Sequence, residues 1–250
     1  MLRSRIIPCL LMHDGGLVKT RQFKDPKYVG DPLNAVKIFN EKEVDELMFV
    51  DIDATAQGRE PNLNLLRSLA VESRMPLCYG GGVTNAKQAA KIVALGFEKV
   101  SISAAALARP ALIREVAEAV GGQSVVITLD VRKNKMFSGY TVFTRNGKEK
   151  HKVNVLEFCQ QAAEYGAGEI VINAIDRDGE MEGYDLPLAE SVRAATSLPM
   201  TMLGGAGNTQ HMQELIDKVG IVGAAAGSMF VFKGPYRAVL INYAKPARLA

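Results

Sequence analysis

Short runs rich in valine, isoleucine and leucine alternate along the whole chain with stretches whose apolar residues recur every three or four positions. The first pattern suits buried strands and the second amphipathic helices, so the chain reads as successive βα units around a parallel sheet. The runs predict strands at 5–12, 46–52, 76–79, 98–103, 124–130, 169–174, 199–203 and 222–226. Between them, "DPLNAVKIF" opens with Asp31 as N-cap and Pro32 in the first turn, and "NAKQAAKIVALG" closes at Gly96. Eight units in 250 residues match a single (β/α)8 TIM barrel, one α/β domain over residues 1–250.

An internal repeat supports this reading. "PLCYGGGVTNAKQAAKIVALGFEKVSISAAAL" from Pro76 lines up with "PMTMLGGAGNTQHMQELIDKVGIVGAAAGSMF" from Pro199, 123 positions on. The chain therefore reads as two homologous half-barrels, about 1–120 and 121–250. One connection departs from the pattern. After strand five, "VRKNKMFSGYTVFTRNGKEKHK" carries two alternating runs around Asn146-Gly147, as in a β-hairpin inserted over the catalytic face.

Composition narrows the partners. With 48% hydrophobic and 23% charged residues the chain can bury a full core, and a net charge of +3 without a dense basic patch points away from nucleic acid and anionic membranes toward small anionic ligands. Cys9, Cys78 and Cys159 are far apart and form no CxxC, which disfavours a disulfide framework or zinc site and fits a reducing cytoplasm. The opening "MLRSRIIPCLLMHD" has an apolar run of only seven residues and no small-residue cleavage pattern, and no run approaches the ~20 residues of a membrane span.

In a barrel of this type chemistry sits at the carboxyl ends of the strands. Strand five ends "ITLDV", so Asp130 is either a loop cap or an acid/base, and the architecture favours the latter. The repeat sets Leu11 of "PCLLM" opposite it. Glycine turns follow strands three and seven, at Gly80 to Gly82 and Gly204 to Gly207, where backbone amides ahead of a helix can bind phosphate. Paired aspartates end two more strands in "VDIDATAQGRE" and "IDRDGEMEGYD", fit to position a substrate. Metal is disfavoured there, because no histidine lies nearby in sequence and both loops are rich in solvated charge. His13 lies beside the mouth, His151 in the flap and His211 on a helix face. No cofactor is expected.

The motifs "IIPCL", "DGG.VK", "GDP", "DEL.F.DI", "GGG", "KVSI", "GAGEI", "DRDG..GYD" and "GGAG", in that order over nearly the whole chain, resemble the cyclase subunit family (HisF) of imidazole-glycerol-phosphate synthase. That resemblance implies two catalytic aspartates ending strands one and five. The second is Asp130, whereas the first position holds Leu11, which cannot transfer a proton. It implies one phosphate site at Gly179, Gly205, Gly227 and Ser228, and another at Gly82, Ser103 and Ala104, where the family usually has Asn-Thr. Lys19 on the first loop is expected to clamp an anion, with Asp51, Asn173 and Asp178 binding substrate. At the opposite face the resemblance implies a docked class I glutaminase (HisH-like) and an ammonia gate of Arg5, Glu46, Lys99 and Glu169. Period-two reading from the gate puts Arg5/Cys9, Lys99/Ser101/Ser103 and Glu169/Asn173 on one face, a passage of small and polar groups.

A retained ammonia entrance with a lost carboxylate suggests ammonia delivered to a different substrate. The ending "AGSMFVFKGPYRAVLINY" resembles second-copy paralogues of this cyclase associated with bacterial surface polysaccharide synthesis, where an acetamido group becomes acetamidino. The expected substrate is a phosphorylated or nucleotide-linked N-acetyl sugar. Two other readings stay open: the ordinary cyclase with Asp53 or Asp14 as displaced base, and a non-enzymatic barrel that conducts ammonia to a third, ATP-dependent amidotransferase protein.

Overall fold

The computed structural model describes residues 3–134, 138–246 and 249. Eight parallel strands close into a barrel: β1 (Arg5–His13), β2 (Leu47–Asp51), β3 (Leu77–Gly80), β4 (Lys99–Ile102), β5 (Val125–Lys133), β6 (Glu169–Ala174), β7 (Met200–Leu203) and β8 (Gly223–Ala226). Each pairs with the next, and β8 pairs with β1, Arg5 opposite Gly223, so no edge is left open. The helices α1 (Pro32–Glu41), α2 (Leu63–Glu72), α3 (Ala86–Ala94), α4 (Ala111–Val120), α5 (Val155–Glu164), α6 (Leu186–Ala195) and α7 (Thr209–Val219) surround it. The molecule is a (β/α)8 TIM barrel, with strand bounds close to those the hydrophobic runs predict.

Local chemistry explains where helices begin. Asp31, Asn62, Asn85, Asn154, Asp185 and Asn208 each turn a side-chain oxygen onto amides of the first turn, satisfying donors that have no partner within the helix. Asn85 and Asn208, which the repeat aligns, cap α3 and α7 in the same way.

Two packed layers follow from strand alternation. Outward residues such as Ile6, Leu47, Ile127 and Ile170 join the helices in the main core. Inward residues form a second cluster of Ile7, Cys9, Met48, Cys78, Val126, Val171, Leu203 and Ala225, against which Leu11 and Val50 pack. This corrects the expectation of a small, polar passage. The axis is mostly hydrocarbon and thiol, with Ser101, Thr128 and Thr201 as its hydroxyls, because a closed eight-stranded barrel is filled by its own side chains.

The catalytic face has structure that periodicity did not predict. Beyond the barrel β1 continues into an antiparallel ladder with strand Gly16–Arg21, which pairs in turn with Lys24–Gly30. Lys19 therefore lies on a buried strand rather than a loop. Likewise β5 runs on to pair antiparallel with Tyr140–Thr144, and that strand with Glu149–His151. Lys135, Met136 and Phe137 of the expected flap lie outside the described residues.

The eighth unit departs most. After β8 come only a four-residue turn of helix, Ser228–Val231, and a small antiparallel pair, Phe232–Lys233 with Ala238–Val239. The chain turns extended at Phe232, directly after that helical turn, and Gly234 at φ +72°, followed by Pro235, reverses it into the hairpin where the other seven units carry a helix. Among the described residues no helix is long and apolar enough to cross a membrane.

Candidate active site

At the amino-terminal mouth the first residues of β1, β4 and β6 and the residue before β2 meet. Arg5 donates to Glu46 and, at 2.7 Å, to Glu169, while Lys99 Nζ lies 2.8 Å from each of the same two carboxylates. Both carboxylates are buried, and Thr201 adds a hydroxyl 2.5 Å from Glu169. Burial alone would raise the Glu169 carboxyl, but Lys99 and Arg5 hold it below its ordinary range. Lys99 shows the converse: desolvation disfavours its charge, and Glu169 and Glu46 more than restore it. Four charges of alternating sign, mutually compensated, thus ring the base of the barrel.

Above the apolar layer lies Asp130, at the carboxyl-terminal face. Burial pushes its carboxyl up to about 7; the Asn173 amide, donating to Oδ1 at 2.9 Å, pulls it down and Asp178 pushes it up. A carboxyl poised there can take or give a proton near neutrality. Asn173 Oδ1 is buried without a hydrogen-bond partner among the described residues. Leu11 and Asp130 both line a chamber of about 670 Å3, so one wall offers a tuned acid/base group and another only hydrocarbon.

The chamber opens mainly over the first half of the chain. Its walls include Gly82, Ser103 and Ala104, the expected first phosphate site. The Gly82 amide donates to Thr55 Oγ1 at 3.2 Å, so it is committed to the loop rather than offered to a ligand. Ser103 Oγ, in contrast, is buried and unpartnered among the described residues, so its hydroxyl is available to a ligand. Asp51 borders the chamber, but its Oδ1 accepts from the amides of Asp53 and Ala54, both at 3.0 Å, and shapes the turn.

A second recess, about 30 Å3, lies over the other half and shares Leu11, Phe23, Asn173 and Leu203 with the chamber. Lys19, Asp178, Gly179, Gly205, Gly227 and Ser228 line it together. Lys19 Nζ donates to the Cys9 carbonyl and lies so close to Gly227 that any side chain there would collide with it. Desolvation lowers the Lys19 pKa, and the Asp178 carboxylate opposes it in part, so an incoming anion would favour the charged form further. Asp178 accepts from Thr20 Oγ1 at 2.7 Å and from the Phe23 amide at 3.3 Å, tying the Gly16–Gly30 hairpin to the recess. Narrow, glycine-lined and equipped with an ammonium and a hydroxyl, this recess can hold an oxyanion.

Chain folding also makes a pair that sequence separation concealed. His13 Nδ1 lies 2.8 Å from Asp53 Oδ1, and the Asp14 amide donates to Oδ2. The Asp53 hydrogen bond raises the His13 pKa. With Asp14 these side chains could converge on a cation, so the argument that no histidine stands near the aspartates does not hold in space. His151 instead bonds Thr144, and His211 lies at the start of α7 beside Asn208.

Fold and site define the class: a (β/α)8 barrel with a buried charge ring at one mouth and, at the other, a tuned carboxyl beside a wide chamber and a narrow recess. The histidine biosynthesis protein family model matches residues 5–236. A Vibrio vulnificus (strain YJ016) protein, provisionally named imidazole glycerol phosphate synthase subunit hisF3, is 54% identical over 247 residues, 99% of this chain and 95% of that one. A Pseudomonas aeruginosa protein provisionally named as subunit hisF2 is 50% identical over 243 residues, 97% and 96% of the two chains. The imidazole glycerol phosphate synthase subunit HisF of Streptococcus sanguinis (strain SK36) is 37% identical over 230 residues, 92% and 91%. The chain belongs to the histidine biosynthesis protein family and is a HisF-like synthase subunit.

Proposed function

We propose that this barrel accepts ammonia released from glutamine by a class I glutaminase docked on its amino-terminal face, and uses it to amidinate a nucleotide-linked N-acetyl sugar for surface polysaccharide (lipopolysaccharide O-antigen) synthesis. The observation that carries the reading is the vertical order of parts. A compensated ion ring opens onto an apolar axis, and the axis ends at Asp130, across a chamber from Leu11. Hydrocarbon around the axis suits neutral ammonia, which must be kept from the water that would protonate it. Asp130, near neutral pKa, is the group to exchange protons as nitrogen attacks.

Amidination replaces the acetamido oxygen by nitrogen, and that oxygen leaves on a phosphoryl or adenylyl group transferred from ATP, as phosphate or AMP, when ammonia adds to the activated carbon. A third, ATP-using protein is the natural source of that activation. We take the narrow recess as the seat of the substrate's phosphate, with Lys19, Gly179, Gly205, Gly227 and Ser228 around it. Its body would lie in the wider chamber, and the chain's two glycine turns would descend from duplicated half-barrels.

The test is a glutamine-dependent assay with glutaminase and the ATP-using partner, using amide-labelled glutamine and offering separately an N-acetyl sugar nucleotide and the histidine-pathway ribonucleotide. Labelled nitrogen should enter the sugar and not the ribonucleotide. The reverse result would return the chain to the ordinary cyclase activity. If Asp130→Asn retained full amination, the barrel would be a conduit rather than a catalyst.

A further inference from the structure

The segment that replaces the eighth helix returns to the narrow recess. Phe232 pairs with Val239 and Lys233 with Ala238, leaving Gly234 to Arg237 as the connecting loop. Arg237 has φ +49°, and its guanidinium donates to the Gly179 carbonyl at 3.2 Å and to Ser228 Oγ at 3.3 Å. It rests over the Phe232 ring, 4.7 Å from its centre. Lys27 Nζ donates to the Arg237 carbonyl at 3.1 Å and lies over the same Phe232 ring, 5.1 Å from its centre.

Arg237 is therefore braced against two residues of the recess while forming no ion pair among the described residues. Arg21, on the neighbouring strand, is matched by Glu180. Burial and the Arg21 charge disfavour the Arg237 cation, whereas Glu180 and Asp178 favour it. Lys19 stands on the inner side of Gly227, and Arg237 touches the next residue, Ser228. A first phosphate between Lys19 and Ser228 would thus leave its neighbour along the ligand facing the guanidinium, whose planar fork suits phosphate oxygens.

We propose that Arg237 is a specificity-determining residue that, with Lys19 and Ser228, selects a diphosphate over a monophosphate. The proposal rests on reading the recess as the seat of the substrate's anionic end. It goes further by naming the linkage: a diphosphate ester, gripped through a terminal hairpin where the other βα units have helices.

Calorimetric titration of the purified chain with inorganic phosphate and inorganic pyrophosphate tests this without any amination step, so failure of the sugar assay leaves the result intact. The parent should bind pyrophosphate at least about tenfold more tightly than phosphate. Arg237→Ala should reduce that preference to about twofold with phosphate binding little changed, and Arg237→Lys should keep part of it. Lys233→Ala, an exposed charge removed from the same hairpin, controls for the general positive field and should keep the full preference. Thermal unfolding of each variant checks the fold. The proposal is overturned if the parent shows no preference, if Arg237→Ala retains it, or if Lys233→Ala loses as much.

Discussion

At the scale of single residues, the buried carboxyl of Asp130 is the most informative group. Its folded pKa of about 7 exceeds the unfolded value of about 3.9. Between those values the folded chain holds a proton that the unfolded chain has released, so this contribution to stability is full below about 3.9 and is lost as pH rises through about 7. Asp130→Asn removes the titration. Its melting temperature relative to the parent should rise with pH, by the equivalent of about 2 kcal/mol between roughly pH 5.5 and 8, as followed by thermal unfolding. A parent and variant that keep a constant difference over that range would show that Asp130 is not perturbed. Ser228→Ala should weaken phosphate binding by about tenfold in calorimetry, the loss of one hydrogen bond to a charged oxygen. Gly205 is a poorer probe: at φ +110°, with its missing Cβ directed at the Gly183 carbonyl, valine there should unfold the loop.

At the scale of elements, two structures roof the catalytic face, and each is latched by contacts between segments far apart in the chain. The Gly16–Gly30 hairpin is held at its tip by Asp178, through Thr20 and Phe23. The turn after Tyr140–Thr144 is held by Asn146 Nδ2, which donates to the Ile52 carbonyl at 2.9 Å, and by Arg145, which reaches Thr55. Asn146→Gly keeps the positive φ that this turn requires and deletes the latch. Hydrogen exchange of residues 140–151 should then speed up while the barrel strands stay protected. Unchanged exchange would mean that the antiparallel pairing with β5 and the Arg145 and Tyr140 contacts hold the flap down without Asn146. Neither latch was legible in the chain, since Asn146 is 94 residues from Ile52 and Thr20 is 158 from Asp178.

At the scale of the molecule, the two mouths of the barrel should be separable by mutation. Lys99→Ala leaves Glu46 and Glu169 with Arg5 as their only charge partner in the ring, a cost on the order of 3 kcal/mol. In complex with glutaminase, glutamine hydrolysis should persist while amination falls, and ammonium salt at raised pH should recover part of it. Efficient nitrogen transfer by this variant would remove the gate from the proposal. The isolated barrel supplied with ammonia should convert the histidine-pathway intermediate poorly, because a general acid/base group contributes about 10²–10⁴-fold and Leu11 offers none. Complementation of a cyclase-deficient strain at normal expression would contradict this.

The strands, their order and Asp130 at the end of the fifth were readable because they are written in local periodicity: a βα unit buries its apolar positions at spacings that need no knowledge of the rest of the chain. The glycines at positive φ in the turns after β3 and β7 were readable for the same reason. Contacts between distant segments were decided only by the closed barrel. Lys19 looked like a loop cation until the hairpin carried it inside, and the passage looked polar until eight inward faces filled it with side chains. His13 met Asp53, and Arg237 met Ser228, through backbone paths that leave no local pattern. Burial tuned the Asp130 carboxyl, and burial is a property of the assembled barrel rather than of any one strand.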